Sequence, residues 1–146
     1  MARAEISIDA PPERVWEVLS DPGSYCRWVV GSKRIRDADA GFPAPRTRFH
    51  HTVGFGPIGI DDHTEVIAAD PPRRLELLAR ARPLATARVT IEVRPVAAGS
   101  RVTMSESAGG LLSTLLINPL TGPLIRGRNA ESLRRLRQLI ETGRDR

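Results

Sequence analysis

The chain begins with residues that alternate between apolar and polar. In RAEISID, Ala4, Ile6 and Ile8 fall on one side and polar residues on the other, which predicts a strand with one solvated face. The next stretch, APPERVWEVLSD, spaces its apolar residues as a helix does and has a proline suited to a first turn. A second short helix is predicted in SYCRWVVG. The chain therefore opens with one strand and two short helices.

Six further strands are predicted between residues 33 and 108. Turns rich in Gly, Pro and Asp separate runs that cover 33 to 37, 46 to 53, 60 to 69, 73 to 81, 86 to 95 and 100 to 108. No helical pattern interrupts these runs, so consecutive strands are expected to pair antiparallel as a meander.

Side-chain parity supports this pairing. Pairing across the turn that follows the fourth strand sets Val66 opposite Leu77. Pairing across the last hairpin sets Ile91 opposite Met104. Apolar residues meet apolar residues each time, while the alternate positions of the last hairpin's first strand are polar. We therefore expect one curved sheet with a solvated back and a covered front.

The cover is expected to be a long C-terminal helix. On a helical wheel its buried side carries Ile125, Asn129, Leu133, Leu136 and Ile140. The preceding stretch, 107 to 125, has no charged residue, but its Pro and Gly residues make it too broken for a membrane span. We expect it to fold over the inner face without stable membrane insertion. A transient contact of 109 to 125 with a membrane surface stays open.

The composition is that of an ordinary globular protein. With 146 residues, 40% hydrophobic and 27% charged, one domain spanning 1 to 146 is expected. The 22 basic residues exceed the 17 acidic ones, but they are scattered and not interleaved with aromatic residues, which argues against nucleic-acid binding. Cys26 has no second cysteine to pair with and no apolar signal segment opens the sequence, so a cytoplasmic location is expected. The sequence leaves the oligomeric state open.

Three stretches carry a resemblance to a known family. IDAPPERVWEVLSDPGSYCRWV, VIAADPPRRLEL and GSRVTMSES resemble the opening, the central hairpin and the penultimate strand of the START-like, polyketide cyclase/dehydrase and lipid-transport superfamily. The resemblance covers essentially the whole chain. It implies the α+β helix-grip fold, a curved seven-stranded antiparallel sheet wrapped around a long C-terminal helix with two short helices near the N-terminus.

Three functions fit such a scaffold. The first is binding of a hydrophobic or amphipathic small molecule, lipid or polyketide-like, in an internal cavity between the sheet and the C-terminal helix. The second is the chemistry of a polyketide aromatase/cyclase or dehydratase. The third is a role with a protein partner, as in the chaperone-activator branch of the fold. The sequence shows no nucleophile motif and leaves catalysis open; no cofactor is expected.

Three polar residues are expected to face inward. A hairpin turn at 56 and 57 sets His51 opposite Asp62 on the inner face, and parity on the last strand turns Glu106 inward. An unpaired inward carboxylate is costly, so the interior either pairs these groups or admits water and ligand. The alternative is that they lie near open strand ends and are solvated. The three are candidates for acid–base catalysis, with Asp62 positioning His51.

The predicted ligand-binding residues combine these polar groups with apolar positions of the inner face and with residues from the helices. They are Tyr25, Phe49, His51, Asp62, Val66, Leu77, Ile91, Met104, Glu106, Ile125 and Asn129. Tyr25 is either a core or a pocket residue, because its hydroxyl needs a partner, whereas Trp28 is expected in the core.

Two other motifs indicate structure rather than chemistry. GFGPIG matches a dinucleotide-binding pattern by letter, but a strand follows it instead of a helix, so it predicts a hairpin turn. His50 and His51 are adjacent in a strand and point to opposite faces, while His50 and His63 meet on the solvated side. We therefore expect no metal site.

Overall fold

The computed structural model describes residues 2–54, 57–82, 85–109 and 121–142; for 2, 85, 108–109 and 121–125 it describes the backbone alone. In chain order the helices are α1 (Pro12–Leu19), α2 (Tyr25–Trp28) and α3 (Thr121–Thr142), and a short 3₁₀ turn, Pro22–Ser24, precedes α2. The strands are β1 (Ala2–Ile8), β2 (Ser32–Ala38), β3 (Arg48–Val53), β4 (Ile60–Asp70), β5 (Arg74–Ala81), β6 (Ala85–Val96) and β7 (Gly99–Gly109).

Within the described ranges the strands form one antiparallel sheet in the order β1-β7-β6-β5-β4-β3-β2. The strands from β2 to β7 form a meander. Strand β1 pairs with β7, so β1 and β2 are the two edge strands of the sheet. With α3 and the two short N-terminal helices, this is the predicted α+β helix-grip architecture. The fold prediction is confirmed, and the strand bounds lie within two residues of those expected from the sequence.

The predicted registers are also confirmed. Val66 pairs with Leu77 and Ile91 pairs with Met104, as parity requires. A bulge after Val66 shifts the remainder of the β4–β5 ladder by one position, and such bulges bend the strand that carries them. The sequence pattern therefore predicted which residues of β4 and β5 share the inner face on the hairpin side of β3 and β4, but not beyond this bulge.

Helix α3 buries the side predicted for it. Asn129, Leu133, Leu136 and Ile140 are all buried, and Arg134 on the other side is exposed. The helix packs mainly against β1 and α2. Its burial is therefore greatest at the β1 edge of the sheet rather than over the middle strands.

The core is formed where the helices, α3 included, meet the sheet. Its most completely buried apolar residues are Ile8, Val15, Leu19, Trp28, Val66, Leu75, Ile91, Val93, Val102, Leu133 and Leu136. Trp28, 1% exposed, is a core residue as expected. The turn between β6 and β7 lies very close to the end of β1. A Cβ on Gly99 would lie 2.3 Å from the Ile8 carbonyl oxygen, so this position needs glycine.

Two sequence predictions concern residues outside this description. The expected loop over the inner face falls on 110–120, and the side chain of Ile125 is likewise outside the described part. Among the helices that are described, none combines the length and the apolar character needed to cross a membrane.

Candidate functional site

The strand registers align the inner-face residues in rows across the sheet. The polar row lies at the end of the sheet nearest the β3–β4 turn and contains His51 and Asp62. The alanine row comes next and contains Phe49, Thr64, Ala79 and Ala87. Deeper along the strands lie a mixed row of Val66, Leu77, Val89 and Glu106, and an apolar row of Leu75, Ile91 and Met104.

Side-chain size and burial change along these rows. In the apolar row Leu75 and Ile91 are almost completely buried, so the deep end is filled by large side chains. In the alanine row Ala79 and Ala87 remain half-buried. Alanine removes volume that a larger residue would fill, and a strongly curved sheet leaves space above such positions. The inner face therefore carries small side chains next to its polar row.

The β3–β4 hairpin fixes the polar row. Gly54 has φ +148°, and a Cβ there would lie 2.2 Å from the Ile58 carbonyl oxygen, so the turn needs glycine. The resulting register sets His51 opposite Asp62, as predicted. Because a shift of one residue between the strands would turn one of the two side chains to the other face, this glycine-dependent turn sets which polar groups face inward.

His51 is buried without a polar partner. Its side chain packs edge-on against the Phe49 ring, with 5.7 Å between ring centroids, and the residue is 3% exposed. Neither ring nitrogen lies in hydrogen-bonding geometry with a described group. Burial lowers the pKa of His51, and the backbone of His63 and the charge of Asp62 oppose this more weakly. The imidazole is therefore neutral at neutral pH.

Asp62 does not position His51, which corrects the sequence prediction. Its two carboxylate oxygens accept hydrogen bonds from Arg82 Nε at 3.1 Å and Nη2 at 2.9 Å, and also from the backbone N–H groups of Arg82 and His63. Burial alone would raise the pKa of Asp62, but these donors outweigh burial and hold it below its usual range. A planar guanidinium matches both carboxylate oxygens at once, so Arg82 outcompetes the facing imidazole.

Glu106 is buried on the mixed row and paired with a residue that sequence reasoning missed. Arg128 of α3 donates to Glu106 Oε1 through Nη2 and to the Val30 carbonyl through Nη1. This ties the C-terminal helix to β7 and to the loop after α2. The sequence did hold one signal that Arg128 faces inward. Arg128 is next to Asn129, which was predicted to lie on the buried side of the helix.

Asn129 is the second inner polar residue without a partner. It is fully buried, and neither its amide nitrogen nor its amide oxygen has a hydrogen-bond partner among the described groups. Its neighbour one turn along, Ser132, is satisfied, since Ser132 Oγ accepts from the Val30 N–H at 3.0 Å. An unpartnered buried amide in a native fold calls for a water or ligand that completes it.

Tyr25 contributes its aromatic ring to the packing beside the site, while its hydroxyl is bound within the fold. Its hydroxyl donates to the Leu19 carbonyl at 2.7 Å, and burial, followed by the charge of Asp21, raises its pKa. Its ring contacts Trp28 and Phe49, with ring centroids 5.0 and 4.8 Å away. The hydroxyl is thus used within the fold, while the ring supports Phe49 beside His51.

The other predicted lining residues, Val66, Leu77, Ile91 and Met104, are buried on the deeper rows. Two open surface depressions are lined wholly by described residues. One, of about 400 Å³, lies between 9–12 and 95–99, and the other, of about 520 Å³, lies beside α2 and α3. Neither is on the inner face. The predicted internal cavity includes residues 110–120 as its roof and stays a prediction.

On the outer face the predicted pair of histidines does meet. The rings of His50 and His63 are 5.8 Å apart, and His63 Nε2 lies 3.0 Å from Arg80 Nη1. Across the described residues, no three His, Cys, Asp or Glu side chains are arranged to hold a metal ion. We therefore assign no metal site to the described residues of the outer face.

A sequence profile for the family described as polyketide cyclase / dehydrase and lipid transport matches residues 2–141. The chain belongs to this family. That membership agrees with the helix-grip fold. No curated protein matches the sequence closely enough to add a specific activity.

Solved structures share the fold of this polyketide cyclase/dehydrase family member at low identity. TTHA0849 from Thermus thermophilus is 21% identical, with a TM-score of 0.74 and 98% of each chain covered. SA2116 from Staphylococcus aureus, a protein of unknown function, is 11% identical, with a TM-score of 0.76 over 99% of this chain and 95% of that one. DynU16, a protein of the dynemicin biosynthetic locus, is 22% identical, with a TM-score of 0.65 over 97% of this chain and 47% of that one.

Proposed function

We propose that this protein binds a hydrophobic or amphipathic small molecule, lipid or polyketide-like, between the inner face of the sheet and α3. The observation that carries the proposal is the pair of buried, unpartnered polar side chains, His51 and Asn129, on the sheet and the helix. Unsatisfied groups of this kind are each unfavourable by about 1–3 kcal/mol, which a ligand that completes their hydrogen bonds would offset.

The alanine row supports the same function. Its half-buried Ala79 and Ala87 lie between the polar row and the mixed row, beyond which comes the apolar row. This order suits a guest with an apolar body and a polar end. A module acting only through protein partners needs no such space, and bulky residues would be expected in this row. The family description includes both lipid transport and polyketide chemistry, and either cargo fits.

The enzyme hypothesis is weaker than the binding hypothesis. A general base of the His51 type is normally oriented by a partner, but the carboxylate of Asp62 is bound by Arg82 instead. Glu106 is engaged by Arg128. Of the three candidate catalytic residues, only His51 has no polar partner among the described groups. Its neutral imidazole can form hydrogen bonds with a guest.

The proposal is tested by filling the alanine row. We expect the wild-type protein to bind the uncharged fluorescent reporter N-phenyl-1-naphthylamine, and Ala87→Phe to weaken that binding by about tenfold or more, because the ring occupies the space of the guest. Fluorescence titration measures both affinities.

The matched control is Arg88→Phe, which adds the same ring one residue later on the exposed outer face. It should bind the reporter within about twofold of wild type. Circular dichroism and thermal unfolding check that both variants fold. Equal reporter affinity in wild type, Ala87→Phe and Arg88→Phe would overturn the proposal.

A further inference from the structure

The buried acidic residues of the inner face are already neutralised. Asp62 and Glu106 are the buried carboxylates of the described chain. Arg82 binds both oxygens of Asp62, and Arg128 donates to Glu106. Each pair carries no net charge, so neither pair leaves an unbalanced charge for a ligand to compensate.

The neighbouring rows of the inner face add no charge. The alanine row and the apolar row consist of uncharged side chains. A guest that carried a carboxylate or phosphate into this space would bury an ion without a counter-ion, which is strongly unfavourable.

Among the described residues, the buried side-chain groups without a hydrogen-bond partner are the hydroxyl of Ser32, the imidazole of His51 and the carboxamide of Asn129, and none of them belongs to an acid or to a Lys or Arg. A neutral imidazole, as at His51, has one donor and one acceptor nitrogen, and the carboxamide of Asn129 has two donor hydrogens and an acceptor oxygen. Hydroxyl and carbonyl groups complement both side chains without bringing charge.

We infer that the ligand is a hydrophobic molecule without formal charge that carries at least two hydroxyl or carbonyl groups, one bound by His51 on β3 and another by Asn129 on α3. This inference rests on the proposed function and narrows it, because it excludes ionised fatty acids and phosphorylated lipids as buried guests. Binding through both elements also links the sheet to the C-terminal helix.

The charge of the ligand is tested with two matched pairs of probes at pH 8. They are 1-decanol with decanoate, and 2-(hydroxymethyl)anthraquinone with anthraquinone-2-carboxylate. The neutral member of each pair should displace N-phenyl-1-naphthylamine at a concentration about tenfold lower or less, because the carboxylate must lose its hydration. Equal or tighter binding of the carboxylates would overturn the inference but leave the proposed function standing. Failure of all four probes to displace bound reporter would overturn the inference alone, whereas failure of the wild-type protein to bind the reporter would overturn both.

The two polar contacts are tested with apolar replacements of similar shape. His51→Phe and Asn129→Leu should each weaken binding of 1,10-decanediol by about fivefold to tenfold, the loss expected for one buried hydrogen bond. The controls His50→Phe on the outer face and Gln138→Leu on the exposed side of α3 should leave binding unchanged.

A merely structural role for Asn129 predicts a different result. Without ligand, Asn129→Leu should unfold at the same temperature as wild type or higher, because it removes an amide that has no partner. A lower unfolding temperature in Asn129→Leu, or unchanged diol affinity in both inner-face variants, would overturn the inference.

Discussion

The residue that most determines the chemistry of the inner face is His51. It is buried beside Phe49, and its ring nitrogens are without partners among the described groups. The sequence correctly predicted that His51 faces inward and that it pairs with Asp62 across the strands. Both follow from the alternation of side chains along a strand and from one turn that requires glycine. The expectation that Asp62 positions His51 was wrong, because Arg82 binds the carboxylate of Asp62. Arg82 lies beyond the end of β5, and which carboxylate it reaches depends on the path of the chain in three dimensions.

The lowered pKa of His51 predicts a pH-dependent stability. The unfolded state takes up a proton near the ordinary histidine pKa, about 6.5, while the folded state resists it, so stability is lost as pH falls below that value. His51→Phe should therefore lose less free energy of unfolding than wild type between pH 7.5 and pH 5.5. Urea unfolding at the two pH values measures this.

His63 shares the effect, since burial followed by the charges of Arg80 and Arg48 lowers its pKa too. His51→Phe should thus remove part of the pH dependence rather than all of it. The comparison variant is His50→Phe, on the outer face. An identical loss of stability in wild type and His51→Phe would show that this imidazole is not buried in its neutral form.

At the scale of elements, the period-two pattern and the turn residues were enough to predict every strand. The inner and outer faces followed, because apolar residues meet only in the observed registers, as with Val66 and Leu77. The Arg128–Glu106 pair could not be predicted in the same way. It joins α3 to β7, and a contact between a helix and a sheet depends on their packing rather than on local periodicity.

The pairing of α3 with β7 predicts a stability effect. Arg128→Met leaves the carboxylate of Glu106 buried without its partner, so it should lower the free energy of unfolding by about 2–3 kcal/mol. This is less than for a fully enclosed pair, because a third of the Arg128 side chain is exposed. Chemical denaturation of wild type and variant measures the difference.

The control is Arg134→Met, also on α3, whose arginine pairs with Glu131 at the surface. Its loss should stay below about 0.5 kcal/mol. The double variant Glu106→Leu with Arg128→Met should recover much of the loss, because it removes the unpaired charge. Equal destabilisation by Arg128→Met and Arg134→Met would mean that the buried pair does not hold the helix to the sheet.

For the molecule as a whole, the resemblance predicted the family and the fold, and both are confirmed. The position of α3 on the sheet was less predictable. A helical wheel shows which side of a helix is buried, but it does not show which strands that side contacts. Among the described elements α3 packs mainly on β1 and α2, and the guest that we propose would lie against the rows of the middle strands. The identity of that guest depends on a few polar side chains, and distant family members need not share them.

The central claim is that the inner face holds a small molecule, and native mass spectrometry of the protein purified from its own host tests it most directly. Wild-type protein should carry the added mass of one uncharged hydrophobic molecule, released on denaturation. Ala87→Phe produced in the same host should lack that mass, because the ring fills the alanine row. The same added mass on both proteins, or a bare chain in both, would contradict the account.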